Sequence, residues 1–122
     1  MRTIKFRAQD IASNKWLYGD VRHHKDDVCI FEQGGTNGEQ VKRETVGQFS
    51  GLYDKNGKEI YEGDILKVGE NKTLIEVRFV RGVFAFLWNG DLDDEFPCTA
   101  PTHEWAKVVG NIHDNPTLIK KF

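Results

Sequence analysis

Cysteine, methionine and proline are scarce: the 122 residues include two, one and three of them. Two thiols close at most one disulfide, so no cross-linked framework substitutes for a hydrophobic core. Cys29 and Cys98 can pair only if the fold brings their Cα atoms within roughly 7 Å. Long apolar runs are missing too. Nothing approaches the ~20 apolar residues that span a bilayer, so a membrane is not among the expected partners. The opening Met1-Arg2-Thr3-Ile4-Lys5-Phe6-Arg7 interrupts its apolar residues with charge and contains no signal-peptide core. The expected address is cytoplasmic, where thiols stay reduced and both cysteines are free. An excess of one charge is also absent: 17 Lys and Arg against 19 Asp and Glu leave a net -2. That balance gives no general pull towards nucleic acid, although it is compatible with a local basic face.

Helical periodicity is the last absence. No window carries apolar residues at i, i+3, i+4 and i+7 for three turns, whereas alternation with period two recurs throughout. The length suits one domain spanning residues 1–122. In the first strand, Thr3 to Ala8, Ile4, Phe6 and Ala8 face inward, and Thr3, Lys5 and Arg7 face water. Residues 12–15 turn the chain into a second strand, Trp16 to Val21, completing a hairpin. Val28 to Gln33 is a third strand with apolar residues on both faces. Gly34 to Gly38 reads as an exposed, mobile loop. A strand from Thr45 to Phe49 ends at Gly51. Asn56-Gly57 predicts a type I′ turn, because both of its central residues need positive φ. Tyr61-Glu62-Gly63-Asp64 then turns into a strand from Ile65 to Val68.

The clearest hairpin is Leu74 to Trp88. Ile75, Val77 and Phe79 alternate with Glu76 and Arg78, predicting one buried and one solvated face. After Arg81-Gly82, the return strand Val83 to Trp88 has no charged residue, the pattern of a strand covered on both sides. A barrel interior with a crossing segment, or a second copy of the chain, would supply that cover. A last strand, Trp105 to Ile112, ends before Pro116, and Thr117 to Phe122 can form a single helical turn. The fold class is therefore all-β: a small barrel or packed antiparallel sheets, with an SH3-like element around 63–88.

Chemical motifs are sparse. His23, His24, Asp26, Asp27 and Cys29 lie close in sequence but lack the paired Cys or His spacing of a zinc site. Asp91, Asp93, Asp94 and Glu95 form an acidic run without the mid-loop glycine or the terminal glutamate of a calcium loop. Cys98 and His103 are the one local thiol–base pair, while Glu59, Glu62 and Asp64 are carboxylates at turns, where capping is their usual work. No Walker, dinucleotide or nucleophile-elbow motif occurs. The expectation is a protein that is not an enzyme, with no cofactor and no metal. Nucleic-acid binding has one foothold: Lys5 and Arg7 share a strand face, and Trp16, Tyr18, Tyr53 and Tyr61 could serve as stacking platforms. Phe84, Phe86 and Trp88 read as core.

Three blocks carry a resemblance: the opening Met1 to Asp10, the central Gln48-Phe49-Ser50-Gly51-Leu52-Tyr53-Asp54-Lys55-Asn56-Gly57-Lys58-Glu59-Ile60-Tyr61-Glu62-Gly63-Asp64-Ile65, and the closing Val109 to Pro116. Together they resemble the YopX family of phage and prophage proteins. Gln9 departs from the tryptophan common there, and residues 22–44 and 89–104 carry no recognisable match. The resemblance implies a small β-rich protein of bacteriophage genomes and brings no catalytic residue with it. Read physically, the blocks are architecture, with Lys5, Arg7, Tyr53, Tyr61 and Glu62 as the alternative, a contact surface. The functional expectation is a phage accessory protein that forms a homo-oligomer or binds a phage or host protein. A nucleic-acid-binding module is the alternative, and an enzyme comes third.

Overall fold

The computed structural model describes residues 3–32, 35, 37–70, 74–89 and 106–119. It is built almost wholly of strands: β1 (Phe6–Gln9), β2 (Trp16–His24), β3 (Asp27–Phe31), β4 (Gly38–Gln40), β5 (Gly47–Tyr53), β6 (Glu59–Tyr61), β7 (Asp64–Val68), β8 (Ile75–Val80), β9 (Val83–Trp88) and β10 (Ala106–Asn111), with one 3-10 turn at Arg43–Thr45. Among the described residues no helix is long and apolar enough to cross a membrane. The strands form two antiparallel sheets, ordered β4-β3-β2-β1-β5-β6 and β10-β7-β8-β9. The all-β class is as expected. Of its two forms the sheets hold, because neither closes into a barrel. The segment around 63–88 is accordingly an open β7-β8-β9 meander.

The chain divides into two compact units, Met1–Phe49 and Ser50–Phe122. In the first, β1 pairs with β2 on one side and β5 on the other, and the β2–β3 ladder runs from Asp20↔Phe31 to His24↔Asp27. Ala8, Val28, Ile30 and Val41 form its core, with Phe6, Leu17, Val21 and Val46 packed against them. The β1–β2 turn is tied by Asp10, whose Oδ1 accepts the N–H groups of Ala12 (2.8 Å) and Ser13 (3.1 Å). These bonds hold its carboxyl below the usual carboxylate range. The predicted faces of strand one are corrected at two positions, one on each face. Ile4 is 58% exposed because the ladder begins only at Phe6, whereas Arg7 is 5% exposed in a strand paired on both sides.

β5 runs from the first unit into the second, past Gly51 rather than ending there; Gly51 is accommodated at φ +87. The following turn is not type I′, because Gly57 has positive φ (+79) and Asn56 does not. Asp54 shapes it instead. Its Oδ1 accepts from the N–H groups of Asn56 (2.8 Å) and Lys58 (2.9 Å), and its Oδ2 from Val108 N–H (3.0 Å) on β10. The Gly-Asp corner forms as expected: Gly63 takes φ +93, and Asp64 Oδ2 accepts from Tyr61 N–H at 2.8 Å.

Ile60, Leu66, Ile75, Val77, Phe86 and Ala106 form the core of the second unit, with Val68, Phe84, Trp88 and Val108 packed on it. The β8–β9 hairpin departs from the expected alternation at two places. Phe79 is 44% exposed, since it lies beyond the core near the hairpin tip, where it meets Phe84 edge-on at 5.0 Å. Glu76 is 1% exposed and holds Arg78 through two 2.9 Å hydrogen bonds. It lies level with Ile65 and Leu87, both buried, so this second face is covered within a single chain. The two-sided apolar pattern of the middle of β9 thus requires no second copy.

The hairpin apex is a two-residue turn with Arg81 at φ +50 and Gly82 at φ +83. Both signs fit type I′, where arginine is a poor first residue and asparagine a good one. Arg81→Asn is expected to raise stability by roughly 0.5–1 kcal/mol, read as a higher denaturant midpoint with unchanged slope. The closing turn is tied by Asn111, whose Oδ1 accepts from His113 N–H (3.0 Å) and Asp114 N–H (2.9 Å). Residues 116–119 are turns and bends, correcting the expected helical turn as far as the description extends; 120–122, like the acidic run, Cys98, His103 and Trp105, lie outside it.

Candidate functional site

Alternation along β2 sends Trp16, Tyr18, Asp20, Arg22 and His24 to one face of the sheet of the first unit. Leu17 and Val21 go to the core on the other. Register then decides their neighbours. Arg7 stands directly opposite Tyr18, and Phe31 opposite Asp20, so Phe31 is the diagonal neighbour of both Tyr18 and Arg22.

Among the described residues this face carries three cation–aromatic contacts. Arg7 lies over the Trp16 ring with its guanidinium carbon 4.6 Å from the centroid, Arg22 over Phe31 at 4.4 Å, and Lys5 over Phe49 at 5.5 Å. Each aromatic quadrupole favours the cation above it. Their exposures differ. Arg7 and Phe49 are buried, Lys5, Trp16 and Phe31 are half-buried, and Tyr18 and Arg22 are exposed. The accessible part of the face is therefore Tyr18, Arg22 and Phe31, with Lys5 beside Arg7. Asp20 and Asp27 sit on the same face, so among the described residues its charge is mixed, with Lys5, Arg7 and Arg22 against these two carboxylates.

The five residues expected to form a contact surface are divided between the two units, two in the first and three in the second. Lys5 and Arg7 join Trp16 and Tyr18 on this face, but the burial of Arg7 corrects its expected exposure. Tyr53, Tyr61 and Glu62 belong to the second unit. Tyr53 is exposed and Glu62 half-buried, whereas Tyr61 is 1% exposed and donates its hydroxyl to Glu59 Oε1 at 3.0 Å, so it is core rather than platform. Arg22 and Phe31 are not among the residues expected from the sequence. For Arg22 the signal lies in the period-two series 16, 18, 20, 22 once β2 extends beyond Val21, whereas Phe31 joins the face only through the register of β2 against β3.

Cys29 is a free, half-buried thiol opposite Arg22. Among the described residues no three or more His, Cys, Asp or Glu gather to hold a metal ion. Asp54 and Asp64 both cap turns, and Glu76 is engaged by Arg78.

The crystal structure of protein EF1440 from Enterococcus faecalis is similar to this chain at 28% identity and a TM-score of 0.62, covering 98% of this chain and 100% of that one. No curated protein matches. The family model described as YopX protein matches residues 5–120, so the chain belongs to the YopX family.

Proposed function

We propose that this chain is a non-enzymatic binding module. In this reading it is a phage or prophage accessory protein acting in the cytoplasm of the bacterial host, and it engages a macromolecular partner through the exposed part of the cation–aromatic face. The observation that carries the reading is the convergence of Tyr18, Arg22 and Phe31 on one sheet face, beside Lys5 and Arg7. Tyrosine and arginine are enriched among the few residues that dominate binding energy, because they bring large contact area together with polar groups. Of the carboxylates grouped at the Tyr61–Asp64 turn, Asp64 accepts from Tyr61 N–H and Glu59 accepts from the Tyr61 hydroxyl, so both have structural work.

A photo-crosslinking residue placed at Tyr18 tests the reading, with one at His23 as control on the same strand but the opposite face. Expressed in host cells carrying the phage genome, position 18 should form a macromolecular adduct and position 23 should not. Adducts at 23 alone, or at neither site, would contradict the proposal. A second reading, contact between copies of the chain, is favoured by the tip of the β8–β9 hairpin, where Phe79 is 44% and Val83 61% exposed. A self-adduct formed from position 79 but not from 18 would select it.

A further inference from the structure

We infer that the partner on this face is single-stranded nucleic acid, its bases stacking on Tyr18 and on the Arg22–Phe31 pair and its phosphates drawn by Lys5 and Arg22. The inference rests on the binding-module reading and names the chemistry of its ligand.

Three observations favour it over a protein partner. First, the platforms are spaced along the sheet rather than clustered. Tyr18 and Phe31 lie on adjacent strands as diagonal neighbours, ~7–8 Å apart in such a sheet, so each can take a separate base. Second, the Arg22 guanidinium lies over Phe31 at 4.4 Å, presenting a planar, charged surface that can stack on a base and meet a phosphate. Third, the surroundings are polar: Asp20, His24, Asp27 and Gln40 share the face and are exposed. A protein interface centre is instead depleted of charge. A β-sheet face that combines aromatic rings with cations is a recurrent way of holding single strands without reading a strict sequence.

The same face sets the strength of binding. Arg7 is buried and contributes its charge without an accessible contact, while Asp20 opposes phosphate at the centre. Two phosphate contacts give a salt slope of about -1.4, from ~0.7 per phosphate for a single strand. Weak binding of low sequence preference is the expected behaviour.

Fluorescence anisotropy with a labelled oligothymidylate at low salt tests this on the full chain. Tyr18→Ala should weaken binding roughly 5- to 150-fold, the range for loss of one stacked base, and Tyr18→Phe should retain it. Arg22→Ala should lower the salt slope by about 0.7, whereas Arg22→Lys should keep the slope and lose affinity. Asp20→Asn should tighten binding, a gain that no loss of structure mimics. Equal binding by Tyr18→Ala, or no anisotropy change at the highest soluble concentration, would overturn the inference. If position 18 crosslinks to protein while the oligonucleotide does not bind, the binding face stands and its nucleic-acid ligand is wrong. If neither occurs, both fail.

Discussion

Asp54→Ala is expected to destabilise the protein by about 3–4 kcal/mol, because one carboxylate satisfies three backbone N–H groups and hydrogen bonds to charged groups contribute ~1.5–3 kcal/mol each, less than additively. The donors are Asn56, Lys58 and Val108, so the change loosens the β5–β6 turn and its tie to β10 at once. The carboxylate also makes stability depend on pH. Burial alone would raise its pKa, but the bonds from Val108, Lys58 and Asn56, together with the Lys58 charge, outweigh it and leave the group below its ordinary value. A depressed folded pKa stabilises above the unfolded value of ~3.9, and that contribution is lost as pH falls through the folded value. Denaturation curves taken from neutral pH down through this range should therefore fall more steeply for the wild type than for Asp54→Ala. Parallel curves would show that Asp54 does not hold the turn in its charged form.

The second large effect lies in the first unit. Gly19→Ala would drive a Cβ into the backbone carbonyl of Phe31, and the backbone at φ +155 gives it no alternative direction. A neighbouring side chain could rotate away; a ladder carbonyl cannot without parting β2 from β3. Overpacking of this kind costs about 1–3 kcal/mol, and the rigid neighbour places Gly19→Ala near the upper end. The denaturation midpoint is the readout, and an unchanged midpoint would contradict the placement of β2 against β3. Because Phe31 belongs to the candidate face, the variant should also reduce any binding there.

Much of the fold was legible because alternation is a local signal. Ile75 and Val77 are buried, the Gly63-Asp64 corner turns as its residues demand, and the Arg81-Gly82 hairpin falls in place. The misreadings share a physical origin: alternation assigns a side chain to a face but does not say what covers that face. Strand parity points Arg7 to water, yet it is buried over Trp16. Parity likewise points Glu76 to the solvated face, yet it is buried with Arg78 as its partner. Phe79 shows the converse, with correct parity but a position beyond the end of the core.

The turn at Asn56-Gly57 teaches a different lesson. The dipeptide marks a turn, but the geometry of that turn is set by Asp54, two residues before Asn56, through side-chain bonds that a two-residue rule omits. The segments 48–65 and 109–116 are accordingly dense in turn-capping side chains, Asp54, Asp64 and Asn111 among them. This supports architecture as their main role. The candidate face draws on Arg22 and Phe31, which lie in the 22–44 stretch outside those segments. Its assembly needed the register of β2 against β3, a non-local fact that no single segment contains.

Chemical-shift mapping by NMR tests the central claim most directly. An isotope-labelled chain titrated with a short oligothymidylate should show its largest amide shifts along β2 and β3, around Tyr18, Arg22 and Phe31. Shifts confined to the Phe79–Val83 hairpin, or none at saturating oligonucleotide, would contradict it.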